Sequence, residues 1–308
     1  MVDLKIELPD SFFLEEERDG YLVSAKMKEL WAVQLDLLNE FDRVCKKYNL
    51  RYILDFGTLL GAVRHKGFIP WDDDVDVSML REDYDKLMEV GPKEFKYPYF
   101  LQTPYTDENF NEAVTKLRRS DTMYVTYHNL LNYPTFNLGI FIDIFVYDYI
   151  PADKQSEELI YKRTETDFLH RYVLCHRPSI YDGVKYPFRM ARYQYYRMRY
   201  GSPSQVYAKQ EQFAKSFNHD DLVGCVMYFD LNKRSHGFFL ETTELQFENL
   251  LLPAPANYDE LLRSLYGDYM IPVRNGAAHV MAHFDTSHSY KEHIGQRKNW
   301  LKNVGKDL

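Results

Sequence analysis

The sequence predicts a mixed α/β fold of the α+β kind, with a largely helical C-terminal portion, and three observations lead there. Short strand-like runs alternate with amphipathic helical patterns over roughly residues 20–150. One run, Gly139 to Tyr147 (GIFIDIFVY), is almost wholly apolar, as a strand at the centre of a buried sheet is. Beyond Pro151 the pattern turns to long helices.

Taken in order, Tyr21 to Leu50 reads as an amphipathic helix. Leu30, Leu37 and Val44 recur every seventh residue beside Trp31, Leu38 and Cys45, making a broad apolar stripe. Arg51 to Asp55 (RYILD) reads as a short strand, followed by Gly57, Thr58 and a helix from about Leu59 to His65. A turn through Gly67 to Pro70 leads to a strand at about Asp74 to Met79. Arg81 to Val90 is helical and stops at Gly91-Pro92. Ala113 to Arg118 is a further strand. Helices are expected over Lys154 to Cys175, Arg189 to Tyr200, Gln205 to Phe217 and Tyr258 to Leu265, with Pro253, Pro255 and Pro272 in loops. The 308 residues divide into a core with its N-terminal helix over 1–152 and a helical portion over 153–308 packed on it, unless the two form one continuous domain.

Composition narrows the function. The net charge of −8 disfavours a protein that lives on nucleic-acid phosphates, so no nucleic-acid partner is expected. The 26 Tyr and 20 Phe suit the stacking of sugars or bases, or the enclosure of a cationic head group, although a Tyr-rich core needs no such role. Cys45, Cys175 and Cys225 are widely spaced and form no CxxC pair, which indicates neither a zinc ribbon nor a disulfide framework and suits a reducing cytoplasm. No signal peptide is evident, and no apolar run approaches the ~20 residues that span a bilayer. The expectation is a cytoplasmic protein with at most peripheral contact at the inner face of the membrane.

The stretch from Asp55 to Leu80, DFGTLLGAVRHKGFIPWDDDVDVSML, carries the chemistry. Asp74 and Asp76 are two apart on a strand and project from one face, while Val75, Val77 and Met79 face the other. Such a pair can hold two divalent cations ~3.5–4 Å apart, the spacing that clamps both oxygens in phosphoryl displacement. Asp143, alone in its apolar strand, is the natural third acid, and ionised there it needs a metal, a proton or a cation beside it. An EF-hand is excluded because Val77 stands where the loop requires Gly. A solvated acidic turn and a structural calcium site are the competing readings. Upstream, Gly57 allows close backbone approach and Thr58 opens a helix whose free N–H groups can cradle phosphate. There is neither a P-loop nor a GxGxxG motif. A strand, then G-[ST], a helix, and D-x-D on the next strand is the organisation of nucleotidyltransferases.

The whole stretch FGTLLGAVRHKGFIPWDDDVDV closely resembles the signature of the LicD family, which includes the fukutin-related sugar-phosphate transferases. LQTPYTDENFNEAVTKLRRSDT (101–122), GIFIDIFVYDYIP (139–151) and LLPAPANYDELLRSLYGDYMIP (251–272) continue the likeness. The resemblance implies a nucleotidyltransferase-like mixed-sheet core. It also implies transfer of phosphocholine, or a relative such as ribitol phosphate, from CDP-choline or another CDP-alcohol to a glycan or lipid-linked glycan. Carried over by position, Asp74 and Asp76 bind Mg2+ (or Mn2+), and Asp143 is a third ligand or the base for the acceptor hydroxyl. Gly57 and Thr58 lie at the donor phosphates, Arg64, Lys66 and Lys116 are candidate diphosphate contacts, and Trp71 is a candidate wall of a choline cage. The helical portion then serves the acceptor. No counterpart exists here to the zinc-binding cysteine cluster of the fukutin-related members, which weakens any transfer of ribitol-phosphate specificity. Two alternatives stand beside this reading: nucleotidylyl transfer onto a small molecule or protein, and an inert binding protein of glycan assembly.

Two weaker signals remain. His279, His283, His288 and His293 cluster near the C-terminus; His279 and His283 would share a face if helical, but Val280 replaces the Glu of HExxH, and a histidine-rich surface is the plainer reading. Lys185 to Tyr200 (KYPFRMARYQYYRMRY) interleaves arginines and tyrosines, either a surface for an anionic or lipid-linked acceptor or an amphipathic helix with snorkelling arginines.

Overall fold

The computed structural model describes residues 1–126, 136–178, 180–218, 221–228, 231–273 and 283–294. In chain order, strands β1 (Glu16–Arg18) and β2 (Tyr21–Val23) form a hairpin ahead of helix α1 (Ala25–Tyr48). Then come β3 (Ile53–Leu54), α2 (Phe56–His65), β4 (Asp76–Leu80), α3 (Arg81–Glu94), β5 (Tyr99–Gln102), β6 (Thr115–Arg119), β7 (Met123–Val125) and β8 (Ile140–Tyr149). The helical stretch follows with α4 (Lys154–Cys175), α5 (Tyr186–Tyr200) and α6 (Pro203–Ala214). The chain ends through β9 (Leu222–Gly224), β10 (Arg234–Ser235), α7 (Gly237–Leu240), β11 (Thr242–Phe247), β12 (Leu250–Pro255), α8 (Tyr258–Tyr266), β13 (His283–Asp285) and α9 (Tyr290–Ile294). The fold is of the mixed α/β class.

β8 organises the sheet. β4 runs parallel to it on one side with Asp76 opposite Asp143, and β3 lies antiparallel beyond β4. On the other side β6 pairs antiparallel with the first half of β8, Lys116 opposite Asp143, and carries β5 on its far edge. The second half of β8 pairs with β9, which carries β10. Every residue of β4 is buried, as befits a strand covered on both faces.

Helix α1 starts where the Ser24 hydroxyl accepts a hydrogen bond from the Met27 N–H, and it ends on Asn49 in the left-handed conformation. Its apolar stripe packs under the sheet, with Leu30, Trp31, Leu37, Leu38, Phe41 and Val44 fully buried. Two of its polar side chains do more for the site. The Trp31 indole donates to the Asp72 carbonyl (2.9 Å), and the Gln34 amide donates to that of Asp73 (2.7 Å), clamping the acidic segment onto the helix.

Several sequence expectations are corrected. The first helix does not begin at Tyr21, because residues 21–23 pair with 16–18 in a hairpin and Ser24 supplies the cap. The strand carrying the acids starts at Asp76 rather than Asp74, so Asp74 lies in the preceding segment. α3 runs past Gly91-Pro92 to Glu94; Gly91 is buried against Leu101 and Phe95, and that packing carries the turn through. Pro253 and Pro255 lie in β12, which among the described residues pairs with β11 alone; a sheet of two such strands leaves its outer edges free, where a missing N–H costs little.

Candidate active site

The turn from β3 into α2 builds one wall. The Asp55 carboxylate caps α2 by accepting from the Phe56 N–H (2.8 Å). It also accepts from Ser78 Oγ (2.5 Å) and is gripped by Arg234 Nη1, 2.9 and 2.8 Å from its two oxygens. Asp55 is fully buried, and this pairing is what allows it to be so. Phe56 has φ 44°, in the left-handed region, a strain of about 1–3 kcal/mol held in place by the cap and by the edge-on packing of its ring against Phe145. This sharp turn presents the first N–H groups of α2, which have no intrahelical acceptor, toward the acidic segment.

Alternation sorts the acids. The Asp73 carboxylate turns inward and accepts from the Tyr124 hydroxyl (2.8 Å). Asp72, Asp74 and Asp76 turn to the other side. The Asp72 carboxylate lies directly over the start of α2: a Cβ on Gly57 would come within 2.8 Å of its Oδ2, so only glycine leaves it that position. Asp76 is held through its backbone, whose N–H donates to Thr58 Oγ1 (2.8 Å). Burial, and after it the neighbouring charge and hydrogen bond of Asp74, hold the Asp72 carboxyl well above the usual carboxylate range. Burial followed by Asp74, Asp143, Asp72 and Asp55 does the same for Asp76. No cation pairs with Asp76 among the described residues: Arg234 is held by Asp55 and Lys116 by Asp143, and the charges that act most on Asp76 are carboxylates.

Asp143 differs. Lys116 Nζ lies 2.6 Å from its Oδ1 and 3.0 Å from Glu112 Oε2, and stands 3.9 Å over the Phe141 ring. Burial pushes the Asp143 carboxyl up, and Lys116 pulls against it without cancelling the effect. Burial works against the Lys116 ammonium, but Asp143 and Glu112 more than offset it. Of the three companions that an ionised Asp143 could have, the structure supplies a cation: antiparallel pairing of β6 with β8 sets a lysine opposite it. Lys116, read from the sequence as a diphosphate contact, is committed to this carboxylate. Tyr228, half-buried, stands close enough to Asp143 for that charge, after burial, to raise its hydroxyl.

Beside Gly57 and Asp72 opens a pocket of about 370 Å³, lined by Leu60, Arg64, Trp71, Tyr266 and Tyr269 among others. Arg64 donates from Nη1 to the Tyr269 carbonyl (2.8 Å), while its Nε is buried without a partner. Trp71 packs edge-on against Tyr21. Lys66 is exposed and forms the C-cap of α2, about 16 Å along the helix from Asp55. The structure thus brings together Gly57, Asp72, Asp74, Asp76 and Asp143, with Arg64 and Trp71 in the adjoining pocket, and leaves Lys66 apart. Thr58 is buried with its oxygen engaged by Asp76. Sequence reading missed Asp72 as a member of the set, although its two-residue spacing from Asp74 signalled it. It also missed Arg234, Tyr228 and Tyr266, which come from distant segments with no local signal. Of the histidines, His279 lies outside the described residues, and His283 begins a strand.

Known proteins share sequence with the segment that forms this site. A sequence profile described as LicD/FKTN/FKRP, nucleotidyltransferase domain, matches residues 49–188, which contain the α2 turn, all the acids above and Lys116. Over those residues the chain is similar to the LicD family. Over 260 residues it is 26% identical to the lipopolysaccharide cholinephosphotransferase LicD of Haemophilus influenzae, covering 79% of this chain and 91% of that protein. It is also 38% identical over 92 residues to an uncharacterized protein of Rickettsia prowazekii, 30% of this chain and 31% of the relative. At 79% of the chain, the likeness to the Haemophilus protein extends well past the matched domain.

Proposed function

We propose that this chain is a metal-dependent transferase that moves phosphocholine from CDP-choline to a hydroxyl of a cell-surface glycan or its precursor. The observation that carries the reading is the group of Asp72, Asp74 and Asp76 beside Asp143. These are oxygen ligands; burial, and after it their acidic neighbours, raise the carboxyls of Asp72 and Asp76, and among the described residues no cation pairs with Asp76. That donor set fits Mg2+ or Mn2+, hard ions that take carboxylate oxygens. Bound there through Asp74 and Asp76, such an ion would neutralise the charge that develops on a diphosphate as it is cleaved. The relative from Haemophilus, named as a cholinephosphotransferase acting on lipopolysaccharide, supports choline as the head group and a glycan as the acceptor.

The chain's own residues divide the remaining work. Gly57 leaves room at the start of α2 for the Asp72 carboxylate and for the donor phosphates beside the helix N–H groups. Arg64 offers a guanidinium at the pocket wall for phosphate oxygens. The rings of Trp71 and Tyr266 suit a quaternary ammonium, which cannot donate a hydrogen bond and is held by cation–π contact. Lys116 engages Asp143 Oδ1, which leaves Oδ2 to accept the proton of the acceptor hydroxyl.

The test is release of CMP from CDP-choline with label transferred to a glycan acceptor. Transfer should require Mg2+ or Mn2+ and fall by orders of magnitude in Asp74→Asn and Asp76→Asn. Full activity in EDTA sinks the metal reading, and turnover of ATP or UTP in place of CDP-choline favours nucleotidylyl transfer.

A further inference from the structure

A second cluster of ligating groups lies on the C-terminal segment, and it differs in chemistry from the oxygen-only group of the active site. Asp285 closes β13, His288 follows it, and His293 lies on α9. One carboxylate oxygen, Asp285 Oδ2, stands 3.0 Å from His288 Nδ1 and 2.9 Å from His293 Nε2. The other oxygen is tied down: Oδ1 accepts from the backbone N–H groups of Ser287 (2.7 Å) and His288 (3.1 Å). The carboxylate is therefore oriented by the chain, and it aims its outer oxygen between two imidazoles.

All three donor atoms lie within 4.8 Å of one another. Around a tetrahedral zinc with bonds of about 2.0–2.1 Å, ligand atoms stand roughly 3.3 Å apart. The two pairs measured here need to open by only a few tenths of an ångström. Two neutral imidazole nitrogens and one carboxylate oxygen suit zinc and not magnesium, which prefers oxygen alone. We propose that Asp285, His288 and His293 form a zinc site, with His288, 59% exposed, on the solvent side where a water completes the coordination.

The site's place in the fold gives it a role. Ser289 Oγ donates to the Ser120 carbonyl (2.8 Å), and the Tyr290 N–H donates to that of Thr122 (2.9 Å), at the turn from β6 to β7. β13 pairs with β7, setting Phe284 opposite Tyr124, whose hydroxyl bonds Asp73 in the acidic segment. Zinc at this position cross-links β13 to α9 and staples the segment to the strand that braces the active site. The inference is independent of the transfer reading.

The test uses the full chain stripped with EDTA and returned to millimolar Mg2+, which occupies oxygen-only sites. Zinc titrated into it by calorimetry should bind at one equivalent. Cobalt in its place should give the visible absorption of a tetrahedral nitrogen–oxygen site. His288→Ala, an exposed change that leaves folding intact, should weaken binding by more than the roughly 10- to 100-fold typical of losing an outer partner. His293→Gln should do the same, and Asp76→Asn should leave zinc binding unchanged. Absence of zinc uptake by the wild type overturns the proposal, as does uptake that survives both histidine changes or is lost with Asp76→Asn.

Discussion

Replacing Asp143 with Asn reads out whether the Lys116–Asp143 pair is structural as well as functional. Lys116 is 6% exposed and Asp143 15%, with 2.6 Å between Nζ and Oδ1. Removing one partner of a buried pair costs about 3–5 kcal/mol, because the other charge is left without compensation. Two features reduce that here. Glu112 Oε2 stays 3.0 Å from Nζ, although that side chain is 40% exposed, and loss of the Asp143 charge relieves Asp76. We expect a net loss of about 2–3 kcal/mol in EDTA, read by urea unfolding followed by circular dichroism. The double variant Lys116→Met/Asp143→Asn removes both charges and should recover much of the loss, giving a coupling above about 1 kcal/mol. If Asp143→Asn is as stable as wild type without metal, or the double variant is no better than the single, Lys116 does not hold that carboxylate and the argument fails.

Three further outcomes follow from the site. Gly57→Ala should cut transfer activity sharply while the protein still folds. An alanine ordinarily favours a helix, but its Cβ would meet Asp72 Oδ2 at 2.8 Å and displace the carboxylate; unchanged kcat and metal affinity would refute this. Arg234→Met should cost about 3–5 kcal/mol in denaturant unfolding, since it strands the fully buried Asp55 at the cap of α2. In EDTA, stability should fall as pH rises above the ordinary carboxylate range. Asp72 and Asp76 have raised carboxyls in the folded state, so the folded chain holds more protons than the unfolded one, and that advantage disappears as pH climbs through their folded values. Millimolar Mg2+ should flatten the dependence, and a pH profile identical with and without the ion argues against a cation among these acids.

Much of the α/β core and of the candidate site is legible because the signals are local. The seven-residue stripe on α1, the apolar run of β8 and the strand–glycine–helix–acid order each lie within one short window, where periodicity reports burial directly. Element boundaries were less legible. The first helix was drawn too long because residues 21–23 share its apolar character, and only a partner strand at 16–18 reveals their state. Pro253 and Pro255 looked like loop markers for the same reason, since a free strand edge is a property of the sheet.

By itself, then, the sequence determined the residue types of the site: acids two apart, a glycine before a helix, a lone acid in an apolar strand. Tertiary structure decided which charges answer which. Asp143 is compensated by Lys116 because antiparallel register sets position 116 opposite position 143, and register is fixed by packing across the whole sheet. Asp55 is buried because Arg234, 179 residues away in the chain, reaches it. Asp76 is left among acids because, among the described residues, the nearest cations are taken up by its neighbours, Lys116 by Asp143 and Arg234 by Asp55. Charge compensation inside a protein depends on distances of a few ångströms between chain-distant groups, and spacing along the sequence carries no record of those distances.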